Sequence, residues 1–190
     1  MSSSTDSSML SDTTVPLRFV VLHHRVPKLS DEHPSTSDTV CRGDHLDWMF
    51  EVASGSELWT FATPVINLNS TILESTSPRT DHKIPTTRLP DHRREYLHYE
   101  GPISNNRGNV TQIACGTHQA IQAAWEPDSD ENVFRTNVVM ERIVDLKSPN
   151  ELQKFQLVFQ RGHWYCDSDS SERVRKMAGV VWDGFLTIQR

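Results

Sequence analysis

Three short segments in the first third of the chain alternate apolar with polar residues or form compact apolar runs. They are LRFVVLHH at 17–24, HLDWMFE at 45–51 and LWTFATP at 58–64. β-Branched and aromatic residues dominate all three, which is typical of strands that bury at least one face. The sequence SGSE at 54–57 separates the second segment from the third, so these two are predicted to form a hairpin that ends at Pro64.

The remaining pattern also favours strands. Further strands are predicted at 96–103, 109–116, 134–146, 154–166 and within 179–190, with turns at 104–108, 161–162 and 183–184. Residues 67–90 are polar, contain prolines and show no sustained period, so they are predicted to be a loop. Residues 119–125 fit either a short helix or a strand. Many short strands without βα alternation indicate an all-β fold, either a sandwich or a barrel.

Composition predicts an N-terminal tail followed by one globular domain, residues 15–190. Residues 1–14 are rich in Ser, Thr and Asp, and we expect them to be disordered. No run approaches the roughly 20 apolar residues of a membrane span, and the N-terminus lacks the pattern of a signal peptide. We therefore expect a cytoplasmic protein with no membrane partner. The three scattered cysteines favour reduced thiols over disulfides or a thiolate zinc site.

The net charge of −6 limits the kind of nucleic-acid contact that the chain can make. It argues against a protein that coats nucleic acid through bulk attraction. A local basic patch at Arg88, Arg93 and Arg94, which flank Asp91 and His92, can still hold one strand end, and we predict these arginines to bind substrate. The plainer interpretation of the patch is a set of solvated surface charges.

The strand HLDWMFE combines an apolar face with a polar one. In an extended chain His45 and Asp47 share a face, while Trp48 lies on the opposite face. If the segment 17–24 pairs with this strand, His23 or His24 can join them. Two imidazoles and one carboxylate suit Mn²⁺, Zn²⁺ or Fe²⁺ with coordination positions left open. The alternative is a buried, hydrogen-bonded pair that stabilises the strand.

Four blocks follow one another along the chain as RFVVLHH, HLDWMFE, ELWTFATP and LPDHRREYLHYEGPISNNRGNV. In this order they resemble the 3′-phosphoesterase module at the N-terminus of bacterial ligase D, a family that includes stand-alone proteins; the resemblance covers residues 17–120. It implies a compact antiparallel β-barrel with few short helices. It also implies an enzyme that uses Mn²⁺, with Zn²⁺ or another divalent transition metal as alternatives. Such an enzyme removes a 3′-phosphate or 3′-ribonucleoside from DNA or RNA/DNA ends in DNA repair.

The resemblance also implies roles for individual residues. The metal ligands would be His24, His45 and Asp47. The DHxxxY sequence would supply His92 and Tyr96 as catalytic residues. His92 would donate to a phosphoryl oxygen or protonate the leaving group, and Tyr96 would hydrogen-bond the phosphate or orient His92.

One departure from the family concerns the residue two positions after Asp47. The ligase D modules have an arginine there, whereas this chain has Met49, which offers no donor to a phosphate. Transition-state charge would then be met by the metal, His92 and a basic residue of the segment 88–94. An alternative function follows, namely a non-catalytic module of the same fold that binds nucleic-acid ends or another protein.

Two further departures concern the loop before His45 and the length of the chain. The loop is longer than the family spacing, which leaves His23 and His33 as alternatives to His24 as the first ligand. We expect no ligase or polymerase domain beside the matched region, so an end-joining role would require separate ligase or polymerase proteins as partners. A metallohydrolase of small phosphoesters is a further alternative, since the acidic charge suits it better than it suits long DNA.

Overall fold

The computed structural model describes residues 16–27, 43–68, 70, 83–124, 132–144, 152–162 and 182–189. Within them, nine strands form one antiparallel sheet, namely β1 (Leu17–Arg25), β2 (His45–Glu51), β3 (Leu58–Pro64), β4 (Ile84–His92), β5 (Gly101–Ile103), β6 (Gly108–Ala124), β7 (Val133–Ile143), β8 (Gln153–Arg161) and β9 (Trp182–Gln189). A 3₁₀ turn, Arg94–Leu97, precedes β5. No described helix has the length and apolar character needed to cross a membrane.

The sheet closes into a barrel of eight strands. Neighbours follow the order β1-β2-β3-β4-β9-β8-β7-β6, and β6 pairs back onto β1. The long strand β6 therefore has β1 on one side and β7 on the other, and β5 adds to its first residues. Closure gives each of the eight strands two hydrogen-bonded neighbours. The prediction of a compact antiparallel β-barrel is confirmed.

Aromatic rings fill the barrel interior. Trp48 and Phe50 of β2 point inward, where they meet Phe61, Phe134 and Phe159. Phe61 stacks on Phe159 with 4.1 Å between ring centroids, and Phe50 meets Phe134 edge-on at 5.2 Å. Each such side chain contributes about 1.5–3 kcal/mol through burial. This core fixes which face of β2 is turned outward.

A second hydrophobic cluster lies on the outer face of the barrel. We call it the outer cluster, and its buried members are Val20, Leu22, Met49, Leu58, Leu97 and Val110. The 3₁₀ turn covers β1 and β2 here, because Leu97 is buried in the cluster and Tyr96 packs against it. Since side chains alternate along a strand, the same outer face carries His24, His45 and Asp47.

Most of the predicted strands are confirmed. β1, β2, β3 and the β2–β3 hairpin agree with the prediction to within one residue. Residues 119–124 continue β6 as strand, which settles the choice that the sequence left open. The predicted strand 96–103 is only partly right, because residues 94–97 form the 3₁₀ turn and the strand is confined to 101–103. The predicted tail, residues 1–14, lies outside the described residues.

Two predictions of irregular structure are wrong. Within the predicted loop 67–90, residues from Ile84 onward belong to β4, which pairs with β3 and β9. The inward-facing positions of β4 include Thr86 and Arg88, so apolar alternation did not mark this strand. Asp183 and Gly184 do not form a turn. They lie within β9, opposite two threonines of β4.

Gly108 is expected to be essential to the β5–β6 hairpin. Its φ is +110°, and a Cβ there would lie 2.1 Å from the backbone oxygen of Arg25. We predict that Gly108→Ala lowers the free energy of unfolding by about 3 kcal/mol in urea denaturation. Gly55→Ala is the matched control. Its φ is +80° with nothing within 4 Å of the added Cβ, so the loss there should be roughly 1 kcal/mol. Equal losses in the two variants would contradict this account.

Candidate metal centre

Pairing of β1 with β2 gathers three potential metal ligands on the outer face. In the antiparallel register His24 lies opposite His45, and Leu22 lies opposite Asp47. Asp47 follows His45 by two residues, so both side chains leave the same face of β2. The ligand atoms of His24, His45 and Asp47 all lie within 4.8 Å of one another, and we call these residues the triad. All three predicted metal ligands are thus brought together.

The distances within the triad fit a bound ion better than direct hydrogen bonds. His24 Nδ1 lies 3.7 Å from Asp47 Oδ2, and His45 Nε2 lies 3.5 Å from Asp47 Oδ1. Both distances exceed the normal hydrogen-bond range. Ligand atoms that surround a tetrahedral ion at ~2.1 Å are themselves about 3.4 Å apart. An ion of this class therefore fits among the three side chains.

Backbone carbonyls orient both imidazoles. His24 donates from Nε2 to the oxygen of Arg107 at 2.7 Å, and His45 donates from Nδ1 to the oxygen of Gly43 at 2.8 Å. Each ring therefore turns its other nitrogen toward Asp47, in the tautomer that binds a metal. This arrangement of an outer hydrogen bond behind each ligating histidine is common in metalloproteins.

Burial makes the carboxylate of Asp47 costly without a cation. The residue is 4% exposed, and its Oδ1 has no hydrogen-bond partner among the described residues. A buried carboxylate oxygen without a partner destabilises the fold. A divalent ion would compensate this charge. The side chains of His24 and His45 are 16% and 11% exposed, so a ligand can reach the site from solvent.

The carboxylate also acts on the titration of the nearest imidazole. Interaction with Asp47 raises the pKa of His24, against the opposing effects of burial and of the positive charge of Arg107. In the metal-free protein, His24 therefore holds its proton to a higher pH than an ordinary histidine does.

Of the two described alternatives for the first ligand, the structure places only His24 with His45 and Asp47. His24 belongs to the triad, whereas His23, the next residue along β1, points toward the opposite face. One ring nitrogen of His23 is buried, and burial lowers its pKa. His33 lies outside the described residues.

The two predicted catalytic residues, His92 and Tyr96, contact each other. The rings of His92 and Tyr96 meet edge-on with 5.6 Å between centroids, and His92 Nδ1 donates to the oxygen of Pro90 at 2.9 Å. His92 lies opposite Leu58, which in turn lies opposite Glu51 at the far end of β2. Tyr96 also packs against the outer cluster.

The arginines predicted to bind substrate have different surroundings. Arg88 is 3% exposed, and its guanidinium lies over the ring of Phe61 and bonds to Asp91. Burial lowers the pKa of Arg88, although Asp91 opposes this effect. Arg88 therefore presents no exposed guanidinium to a substrate. Arg93 is exposed at the start of the 3₁₀ turn.

Arg94 is half exposed, and its Nε donates to the carboxylate of Glu51 at 2.8 Å. Arg18 approaches the other oxygen of the same carboxylate at 3.6 Å. Burial would raise the pKa of Glu51, but hydrogen bonds from Arg94 and from the backbone of Arg18 outweigh it and lower the pKa. These arginines hold the 3₁₀ turn against the end of β2.

Arg107 is a site residue that the sequence pattern did not indicate. The sequence SNNRG predicted a turn, and residues 104–107 do form one between β5 and β6. Its contact with His24 depends on the pairing of β6 with β1, which places residues more than 80 positions apart side by side. A local turn signal carries no information about such a contact.

Comparison with known proteins adds no family assignment. No model of a known protein family matches the chain, and no curated protein is significantly similar to it. The likeness to the 3′-phosphoesterase module therefore stays a resemblance of sequence blocks.

Asp47→Asn should separate metal binding from stability. We expect Mn²⁺ affinity, measured by calorimetry, to fall by more than roughly 10–100-fold. That range is typical when a protein loses a group that only hydrogen-bonds to a metal ligand. Without metal, the free energy of unfolding should stay unchanged or rise, because the buried charge is removed. Asp44→Asn is the control, since Asp44 is exposed, accepts a hydrogen bond from Val26 N and is not part of the triad. A large stability loss in metal-free Asp47→Asn would instead indicate a structural pair.

Metal affinity should also depend on pH in a definite direction. A metal ion can bind only the neutral imidazoles, so it must displace the proton that Asp47 helps His24 to retain. We expect Mn²⁺ affinity to be constant at high pH and to fall as pH drops, beginning above pH 6.5. Each displaced proton should weaken affinity up to about tenfold per pH unit. A dissociation constant that is flat from pH 7.5 to 5.5 would contradict the ligand assignment.

Proposed function

We propose that this protein is a divalent-metal-dependent phosphoesterase that removes a 3′-phosphate or 3′-ribonucleoside from DNA or RNA/DNA ends during repair. The metal would be Mn²⁺, with Zn²⁺ or another divalent transition metal as alternatives. The observation that carries the proposal is the convergence of two carbonyl-oriented imidazoles and one buried carboxylate on a solvent-accessible face.

The triad would supply three ligands to a metal ion and leave coordination positions open, as catalytic rather than structural sites do. A bound divalent ion would neutralise charge on phosphoryl oxygens and lower the pKa of a bound water. The triad would hold that charge at a fixed point because both imidazoles are anchored to the backbone, at Arg107 and Gly43. Fixed positioning of this kind contributes to catalysis without any movement at the moment of reaction.

His92 and Tyr96 are proposed to bind and protonate the substrate. The bond from His92 Nδ1 to Pro90 holds the ring, which leaves Nε2 to exchange a proton with a phosphate or leaving group. The ring of Tyr96 meets that of His92 and packs against the outer cluster, which fixes the pair near the Glu51 end of β2. We favour a nucleic-acid end over a small phosphoester because of the resemblance to the 3′-phosphoesterase module.

A non-catalytic end-binding module is the second candidate. Met49 is 1% exposed within the outer cluster, so no donor stands at the position where the resembling family has its arginine. For either candidate the partners are nucleic-acid 3′ ends and, for complete repair, separate ligase or polymerase proteins. We place this activity in the cytoplasm.

The test is release of inorganic phosphate from a 3′-phosphate-ended primer–template duplex with saturating Mn²⁺. We expect release by the wild type and by Asp44→Asn, and a loss of at least about 100-fold in Asp47→Asn and His45→Ala. His92→Gln should lower kcat by roughly 100-fold or more while Mn²⁺ affinity is kept.

Two outcomes would redirect the proposal. If the folded, Mn²⁺-bound wild type binds the duplex but releases no phosphate, the end-binding module is favoured. If it hydrolyses a small aryl phosphate as well as the duplex, and rising salt has no effect on either rate, the nucleic-acid substrate is rejected, because binding to a phosphate backbone weakens steeply with salt.

A further inference from the structure

The turn between β5 and β6 contains Asn and Gly residues at positions of positive φ, which these residue types favour. Asn105 and Asn106 have φ of 63° and 52°, a region that Asn tolerates better than most residues. Gly108 follows with φ of 110° and packs against the backbone of Arg25 too closely for any side chain. The turn is therefore held at one position relative to β1.

Arg107 joins this turn to the triad. Its backbone oxygen accepts the hydrogen bond from His24 Nε2 at 2.7 Å, and its side chain is exposed. Its Nε donates to the oxygen of Ser104 at 3.1 Å, which anchors the guanidinium at one point. The described hydrogen bonds do not use its two terminal amino groups. An exposed guanidinium held on a turn whose backbone contacts a triad residue is a suitable donor for an anion.

Three other described arginines are less suitably placed to bind an anion at the triad. Arg88 is buried in the fold, and Arg94 is bonded to Glu51 at the other end of β2. Arg25 follows His24 directly, so its side chain leaves the opposite face of β1. Its charge lowers the pKa of His23, which faces that side.

We propose that Arg107 is a substrate-binding residue whose terminal amino groups donate to two oxygens of a phosphate monoester at the triad. The inference rests on the proposed function and names the group that recognises the terminal phosphate. A planar guanidinium matches two phosphate oxygens in a bidentate arrangement. Arg107 thus supplies from the hairpin turn the donor that Met49 does not supply from β2.

The test compares the full-length wild type with Arg107→Gln, Arg107→Lys and Arg25→Gln, all with Mn²⁺ bound. The probe is inorganic phosphate, and calorimetry measures its affinity. We expect Arg107→Gln to weaken phosphate binding at least about tenfold. Arg107→Lys should bind phosphate more tightly than Arg107→Gln but less tightly than the wild type, because lysine keeps the positive charge and lacks the planar pair of donors. Arg25→Gln should stay within about twofold, since it removes an equal charge from the other face.

Metal affinity and turnover serve as separate readouts. Mn²⁺ affinity should be kept or slightly increased in Arg107→Gln, because the backbone oxygen that orients His24 remains and a nearby positive charge is removed. Equal phosphate affinity in the wild type and Arg107→Gln, or no phosphate binding by the wild type, would overturn the assignment. A parallel loss of Mn²⁺ and phosphate binding would also overturn it, since Arg107 would then act only on the fold of the turn.

Failure of the proposed function would give different results from failure of the Arg107 assignment. If phosphate binding depends on Arg107 but the wild type releases no phosphate from the 3′-phosphate duplex, the hydrolase is rejected and the anion site stands. If the duplex is hydrolysed with the same kcat/KM by the wild type and Arg107→Gln, the hydrolase stands and the role of Arg107 is rejected.

Discussion

The antiparallel pairing of β1 with β2 is the interaction on which the rest of the structure depends. Its register sets His24 opposite His45 and Leu22 opposite Asp47. A shift of one residue would turn every side chain of one strand to the other face. The aromatic core excludes such a shift, because Trp48 and Phe50 are fully buried in the barrel interior. The hydrophobic core thus determines the position of the polar triad on the opposite side of the same strand.

Closure of the barrel completes the site from the other edge of β1. β6 pairs along β1 and brings the β5–β6 turn to the end where His24 lies. The carbonyl of Arg107 then orients the imidazole, and Gly108 permits the close approach. β1 therefore has two residues of the triad beside it on β2, and the turn that precedes β6 supplies the orienting carbonyl on its other side. The candidate metal centre lies where β1, β2 and this turn meet.

The outer cluster packs the 3₁₀ turn against the face of the barrel that also carries the triad. Met49 and Leu97 are both buried in this cluster, and Tyr96, whose ring meets that of His92, packs against it. The buried carboxylate of Glu51, held by Arg94 and Arg18, fastens the turn at the far end. The buried outer cluster and this ion pair together set the 3₁₀ turn, and with it Tyr96, against β1 and β2.

The sequence by itself determined the all-β class and the first three strands, and it placed His45 and Asp47 on one face of β2. It could do so because period-two alternation is a local property of a strand. It did not reveal β4, whose inward-facing positions include Thr86 and Arg88, and it mistook Asp183 and Gly184 for a turn. Only the tertiary structure decided that His24 rather than His23 joins the triad, and that Arg107 stands beside it. Those contacts depend on the register between strands far apart in the chain, which alternation within a single strand does not encode.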